Sequence, residues 1–252
     1  MKKISQKLKN VLNSYFLNGE NLIEKKAPKN KLFICSYPRS GNTVMRLALA
    51  QGLLSRTVQV SEIDRVTVEP YASKKKDIDI LFKQNNAIIK WHGLPSHIHE
   101  FNNIIYLYRE PTKACRSYYT YLKYRHQAFT SGPDVFIDKF LNGTLDNFGR
   151  WDIHVQLWKA FIENNGGCFL NFDSVIGSAE KTLESIYSEF KLSDFDKQSF
   201  LDSFTLDRKS SKKGKNAEFF KSTKGHDEFE NALQRRMPDF DKFQSIYQQL
   251  IP

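Results

Sequence analysis

The chain has 252 residues, room for one α/β domain or at most two. Hydrophobic residues make up 40% and aromatics 13%, which supports a packed core and excludes wholesale disorder. Lys and Arg number 38 against 28 Asp and Glu, so the net charge of +10 favours a polyanionic partner (nucleic acid, an anionic membrane or a nucleotide-like ligand) without choosing among them.

Residues 1–30 read as an N-terminal helix and linker, ahead of a single domain over residues 31–252. Ile4, Leu8, Val11, Leu12, Tyr15 and Phe16 recur at helical spacing, with Lys and Asn on the other face. Such a helix packs on the domain surface or rests on an anionic membrane, and both readings stay open. Gly19, Pro28 and Asn30 mark the linker. Polar residues interrupt the N-terminus before an apolar run of signal-peptide length. No stretch approaches the roughly 20 apolar residues of a membrane span. Cys35, Cys115 and Cys168 are widely spaced, lack metal-ligand spacing and sit in apolar patterns, as small core residues do. A cytoplasmic protein without integral membrane contact is therefore expected.

The rest of the chain is organised around Lys31 to Arg46, KLFICSYPRSGNTVMR. Leu32 to Tyr37 is rich in strand formers, Pro38-Arg39-Ser40-Gly41 is a turn, and Val44, Met45, Leu47, Ala48 and Leu49 have helical spacing. A strand, a tight turn and a helix make an anion cradle, because the N–H groups of the first helical turn lack internal partners and share the positive end of the helix dipole. Arg39 adds a fixed charge, and Ser40 and Thr43 add hydroxyls. The nucleotide-triphosphate loop G-x-x-x-x-G-K-S/T is not met, since the cation precedes the single Gly41 and Asn42-Thr43 come after it.

A helix is predicted over residues 42–55, a short strand and loop within 57–70, and a surface helix over 73–85. Asn86 to His92 is a second strand-like run, placing Lys90 and His92 on one face. His92 has the ordinary pKa of a base near neutrality. Asn103 to Tyr108 is a third strand, ending at Arg109-Glu110-Pro111 and followed by an aromatic helix over 112–124. A chain folding back from strand to helix brings Arg109 and Ser117 to one phosphate, for which an arginine fork is suited. Helices are also predicted over 135–141, 149–163, 179–190, 193–204 and 239–249, a fourth strand over 167–172, and a polar basic loop over 209–224. Trp151 and Trp158 read as core, and His154 as a structural hydrogen-bonding residue or a pocket liner. Four strands alternating with helices give an α/β fold of three layers, a central parallel sheet flanked by helices.

In this order the motifs resemble those of sulfotransferases that use 3′-phosphoadenosine 5′-phosphosulfate (PAPS). Ser36 to Thr43 resembles the 5′-phosphosulfate loop S/T-Y/F-P-K/R-S-G-T/N-T-W, and departs from it at Val44, where many members have Trp. Lys90-x-His92 resembles K-T-H-x-P, with one extra residue before Pro95. Arg109 and Ser117 match R-x-P-x-D-x-x-x-S, with Lys113 in place of the Asp. GRWDIHVQLW, from Gly149 to Trp158, is similar to a stretch common in bacterial members. Phe172 to Val175 stands where the family often has Y-E-D-L, and Phe219 to Thr223 is the nearest match to the F-x-R-K-G of the cofactor lid.

The resemblance implies the P-loop-NTPase-like sulfotransferase fold and an in-line transfer of a sulfuryl group from PAPS, with adenosine 3′,5′-bisphosphate (PAP) leaving and no metal required. His92 would take the acceptor's proton, and Lys90 and Arg39 would neutralise charge on the transferring group. Ser40, Gly41, Asn42 and Thr43 would hold the 5′ end beside Arg39, and Val44 would lie on the cofactor where the family often has an adenine-contacting aromatic. Arg109 and Ser117 would hold the 3′-phosphate with Lys221 and Ser222, and Phe172 and Phe219 would lie near the adenine. The acceptor would be a hydroxyl or amine of a small molecule or glycan, and no nucleic-acid partner is expected. The abundant aromatics between residues 118 and 161 suit a flat or cationic molecule. Two other classes remain at this level. A P-loop kinase relative would need Mg²⁺ and a Lys-Ser or Lys-Thr pair. A non-catalytic nucleotide or nucleic-acid binder would show steeply salt-dependent binding to any duplex.

Overall fold

The computed structural model describes residues 30–69, 86–97, 103–190, 192, 194–205 and 226–251. The segments predicted as the N-terminal helix (up to residue 29), as the surface helix over 73–85 and as the basic loop with Phe219, Lys221 and Ser222 lie outside the described residues. Five parallel strands form one sheet in the order β2-β3-β1-β4-β5: β1 Asn30–Ser36, β2 Thr67–Val68, β3 Asn86–Trp91, β4 Ile104–Tyr108 and β5 Cys168–Asn171. Four strands stand in the predicted places. The fifth, β2, is the short strand expected within 57–70 from the alternating valines, and it is confined to Thr67–Val68.

Alternation along the strands divides the core into two layers. Phe33, Cys35, Ile89, Trp91, Tyr106 and Tyr108 face one cluster. It is closed by α3 Pro111–Thr120, α4 Pro133–Asn142, α5 Trp151–Asn165, α9 His226–Arg235 and α10 Asp241–Leu250. Leu32, Ile34, Ile88, Ile105 and Leu107 face the other. There α1 Asn42–Leu54, α7 Ala179–Glu189 and α8 Lys197–Thr205 pack, and the single-turn α2 Ile63–Val66 leads into β2. The three cysteines are buried and free, and Trp151 and Trp158 are core residues as predicted.

Several boundaries move for local reasons. Helix α3 gives way to a π-helical turn at Tyr121–Arg125, where one continuous helix over 112–124 was expected. The helix predicted from residue 193 begins at Lys197. Phe172 belongs to no strand: Asn171 caps a helix, α6 Phe172–Gly177, by accepting from the N–H groups of Asp173 (2.9 Å) and Ser174 (3.1 Å). Helix α9 has no counterpart among the predicted helices. β1 lies between β3 and β4, so the chain reverses its direction of growth at β1, where an open α/β sheet leaves a crevice at the carboxyl ends of its strands.

Candidate functional site

The crevice is built by the segments that leave the carboxyl ends of β1, β3, β4 and β5. After β1 the turn is tight enough to hold Arg39 at φ 68° and Gly41 at φ 99°. Left-handed backbone is costly for an arginine and natural for a glycine. Glycine is required at 41 for a second reason, since a Cβ there would fall 2.0 Å from the Phe172 ring that covers the turn. The first helical bond of α1 runs from the N–H of Met45 to the carbonyl of Gly41 (3.1 Å). The N–H groups of Asn42, Thr43 and Val44 therefore precede the helical ladder, where an anion is stabilised. Asn42 is buried and ties the turn back to β1, donating from Nδ2 to the carbonyl of Ile34 (2.7 Å) and to Ser36 Oγ (3.3 Å). Thr43 and Val44 are half-buried. Ser40 is fully buried and its Oγ has no hydrogen-bond partner. A buried polar atom without a partner is costly, and at this place the cost points to a ligand.

Arg39 bonds to both Arg109 and Ser117, the two residues that the sequence paired on one phosphate without it. Arg39 donates from Nε to Ser117 Oγ (3.2 Å), and its guanidinium lies over the Tyr121 ring (4.5 Å). Arg109 donates from Nη1 to the carbonyl of Arg39 (3.2 Å) and stacks on Phe172 (5.0 Å), while its own Nε is buried and has no partner. Burial lowers the Arg109 guanidinium from its ordinary value, and it remains a cation. Glu110 caps α3 from the end of β4 by accepting from the N–H groups of Thr112 (3.1 Å) and Lys113 (2.7 Å), which sets where Ser117 stands. Lys113 pairs with Asp173 (2.8 Å).

His92 sits across the crevice. Its Nδ1 is 2.7 Å from the carbonyl of Ser36, so the neutral ring carries its proton on Nδ1 and leaves Nε2 as the basic nitrogen. Burial, and then the charge of Lys90, hold the imidazole well below its usual value, against the opposing pull of the Ser36 carbonyl, with smaller depressions from His154 and Arg46. The ring meets Phe148 edge-on at 5.5 Å. Lys90 itself is paired with Glu69, Nζ to Oε1 2.5 Å.

Sequence reasoning missed the residues that support this side. Asp146 accepts from the Tyr118 hydroxyl and from the N–H of Phe148 (2.7 Å), and Tyr37 donates to the carbonyl of Gly149 (3.4 Å). These bonds fix the loop that presents Phe148, and the Asp-x-Phe-Gly run of residues 146–149 was the available signal. His154 is fully buried and structural: Nε2 donates to the carbonyl of His92 (3.0 Å), and Nδ1 accepts from the Tyr106 hydroxyl (2.8 Å). Burial depresses it to about 4.

A family model described as the sulfotransferase domain matches residues 29–251. A flavonol 3-sulfotransferase of Flaveria bidentis is 28% identical over 165 residues, covering 59% of this chain and 53% of its own. The chain thus spans about half the length of that curated relative. Among solved structures, the mouse sulfotransferase SULT7A1 complexed with PAP aligns with a TM-score of 0.54 at 18% identity, covering 75% of this chain and 68% of that one. A retinol dehydratase in complex with androsterone and PAP aligns with a TM-score of 0.59 at 12% identity, covering 91% and 86%. The likeness to these two structures is one of fold. With the family model spanning nearly the whole described sheet and its crevice, the chain belongs to the sulfotransferase domain family.

Proposed function

We propose that this chain transfers the sulfuryl group of PAPS to a hydroxyl, or an amine, of a small molecule or glycan, with His92 as the base. The observation that carries the proposal is the bond from His92 Nδ1 to the Ser36 carbonyl, which turns the lone pair of Nε2 toward duty as a proton acceptor at neutral pH. The residues present suit the donor. Ser40 Oγ and Arg109 Nε are buried atoms without partners, and the cradle around them is cationic. In this reading Ser40, Gly41, Asn42 and Thr43 hold the 5′ end, Val44 lies toward the adenine, and Arg109 and Ser117 hold the 3′-phosphate. Phe172 covers Gly41 and Arg109 and bounds the nucleotide side. Lys221, Ser222 and Phe219 keep their assigned places from the sequence alone.

The donor supplies an activated sulfuryl group whose leaving group is PAP. The chain's residues then do three things. His92 takes the acceptor's proton on Nε2 as the acceptor oxygen or nitrogen attacks in line. Arg39 and Lys90 offset negative charge on the transferring oxygens. Phe148 and the aromatic residues behind it present a dry wall to the acceptor. A small hydroxylated ring system fits that wall, and the neighbouring retinol dehydratase is itself complexed with androsterone. A cytoplasmic location goes with this reading, supported by three buried free thiols. The test is incubation of the full chain with radiolabelled PAPS and a panel of flavonol, phenol, steroid alcohol, aryl amine and oligosaccharide probes. Label transfer to at least one probe is expected, and its loss in His92→Ala supports the base. Transfer that survives that substitution overturns the role of His92.

A further inference from the structure

The ion pair between Lys90 and Glu69 has no place in the roles above. β2 and β3 run parallel, with Thr67 opposite Ile88 and Val68 opposite Ile89, so Glu69 leaves β2 alongside Lys90. Nζ and Oε1 are 2.5 Å apart, and the two side chains are only 19% and 25% exposed. Lys90 is registered opposite Ile34, two residues before the Ser36 whose carbonyl holds His92. A cation near the carboxyl end of β3, close enough to His92 to depress its imidazole, is thus engaged with a carboxylate whose own charge opposes any incoming anion. Partial shielding strengthens both the attraction and the repulsion.

We propose that Glu69 is a displaceable counter-ion that positions Lys90 in the resting chain and yields it to the anionic 5′ end of the donor. The proposal rests on the PAPS reading. On this account Glu69 weakens donor binding and keeps the Lys90 charge occupied until the sulfonate arrives, so that Lys90 exchanges one anion for another. Glu69 acts on the donor through Lys90 and is a positioning residue.

The experiment is calorimetric titration of PAPS and of PAP into the wild-type chain, Glu69→Gln, Lys90→Met and the double variant, with thermal melts of each. Glu69→Gln is expected to tighten PAPS binding by about 2- to 5-fold, the scale of a partly exposed ion pair. In the Lys90→Met background the same substitution is expected to change binding by less than about 2-fold, because the partner it releases is gone. Glu69→Asp, one methylene shorter, is expected to shift binding in the same direction by less and serves if Glu69→Gln does not fold. Tightening of equal size with and without Lys90 overturns the proposal, since Glu69 would then act only as a nearby negative charge. Weaker or unchanged binding in Glu69→Gln overturns it as well. Failure of the donor reading shows separately, as a wild-type chain that binds PAP no better than AMP.

Discussion

The two sides of the crevice differ in how their polar groups are used. On the nucleotide side, Ser40 Oγ, Arg109 Nε and the first-turn N–H groups of α1 are arranged around a place where an anion would satisfy them. On the acceptor side the polar groups satisfy one another. His92 is bonded to Ser36, His154 to His92 and Tyr106, and Asp146 to Tyr118 and Phe148. One side is built for a ligand of fixed charge and shape. The other holds His92 against Phe148 among bonded polar groups, and under the proposed function it would be the wall that meets an acceptor defined by shape more than by charge.

The largest expected effect falls on the acceptor side. His92→Ala is expected to lower kcat by about 10²- to 10⁴-fold, the range of a general base, while PAP affinity stays within about 2-fold of wild type. A parallel loss of PAP binding would mean that the two sides are not separable.

Next comes the pH dependence of stability. His154 is held at about 4 when folded, against an ordinary 6.5, so the folded chain binds fewer protons than the unfolded chain between these values. Stability is therefore full above pH 6.5 and falls as the pH drops toward 4, by on the order of 3 kcal/mol from this group alone. His92 acts in the same direction. Urea melts across this range measure the fall, and His154→Gln is expected to flatten it.

On the nucleotide side, Arg109→Ala removes a partly buried charge and is expected to weaken PAP binding by about 30- to 100-fold, with AMP binding changed by less than about 3-fold. Equal losses for both nucleotides would move Arg109 away from the 3′-phosphate. Gly41→Ala is expected to cost about 1–3 kcal/mol of stability, because the new Cβ meets the Phe172 ring at 2.0 Å and φ is 99°. Gly41→Ala, Phe172→Leu together should recover part of it if the ring is the obstacle.

The nucleotide side was the more legible from sequence, and the reason is geometric. Its donors come from one continuous strand-turn-helix, Ser36 to Thr43, and from a second strand-helix unit holding Arg109 and Ser117, so spacing along the chain translates into proximity. The parallel sheet followed from alternating strands and helices. The acceptor side is tertiary. Glu69 reaches Lys90 through pairing of a two-residue strand, and the alternating Val66 and Val68 announced the strand without saying which strand it pairs with. Phe148 reaches His92 because Asp146 folds a loop against Tyr118. Phe172 was misread as strand because it follows an apolar run, and the Asn171 cap decided otherwise.

The most direct test of the central claim is calorimetric titration of the full chain with PAP, with AMP and ATP–Mg²⁺ as controls. Binding of PAP at least about 30-fold tighter than AMP, and independent of Mg²⁺, is the predicted result, since under the proposed assignment only PAP would engage both the Gly41 turn and the Arg109–Ser117 pair. Equal binding of PAP and AMP would contradict it and would leave the convergence of Arg39, Arg109 and Ser117 without a phosphate to hold.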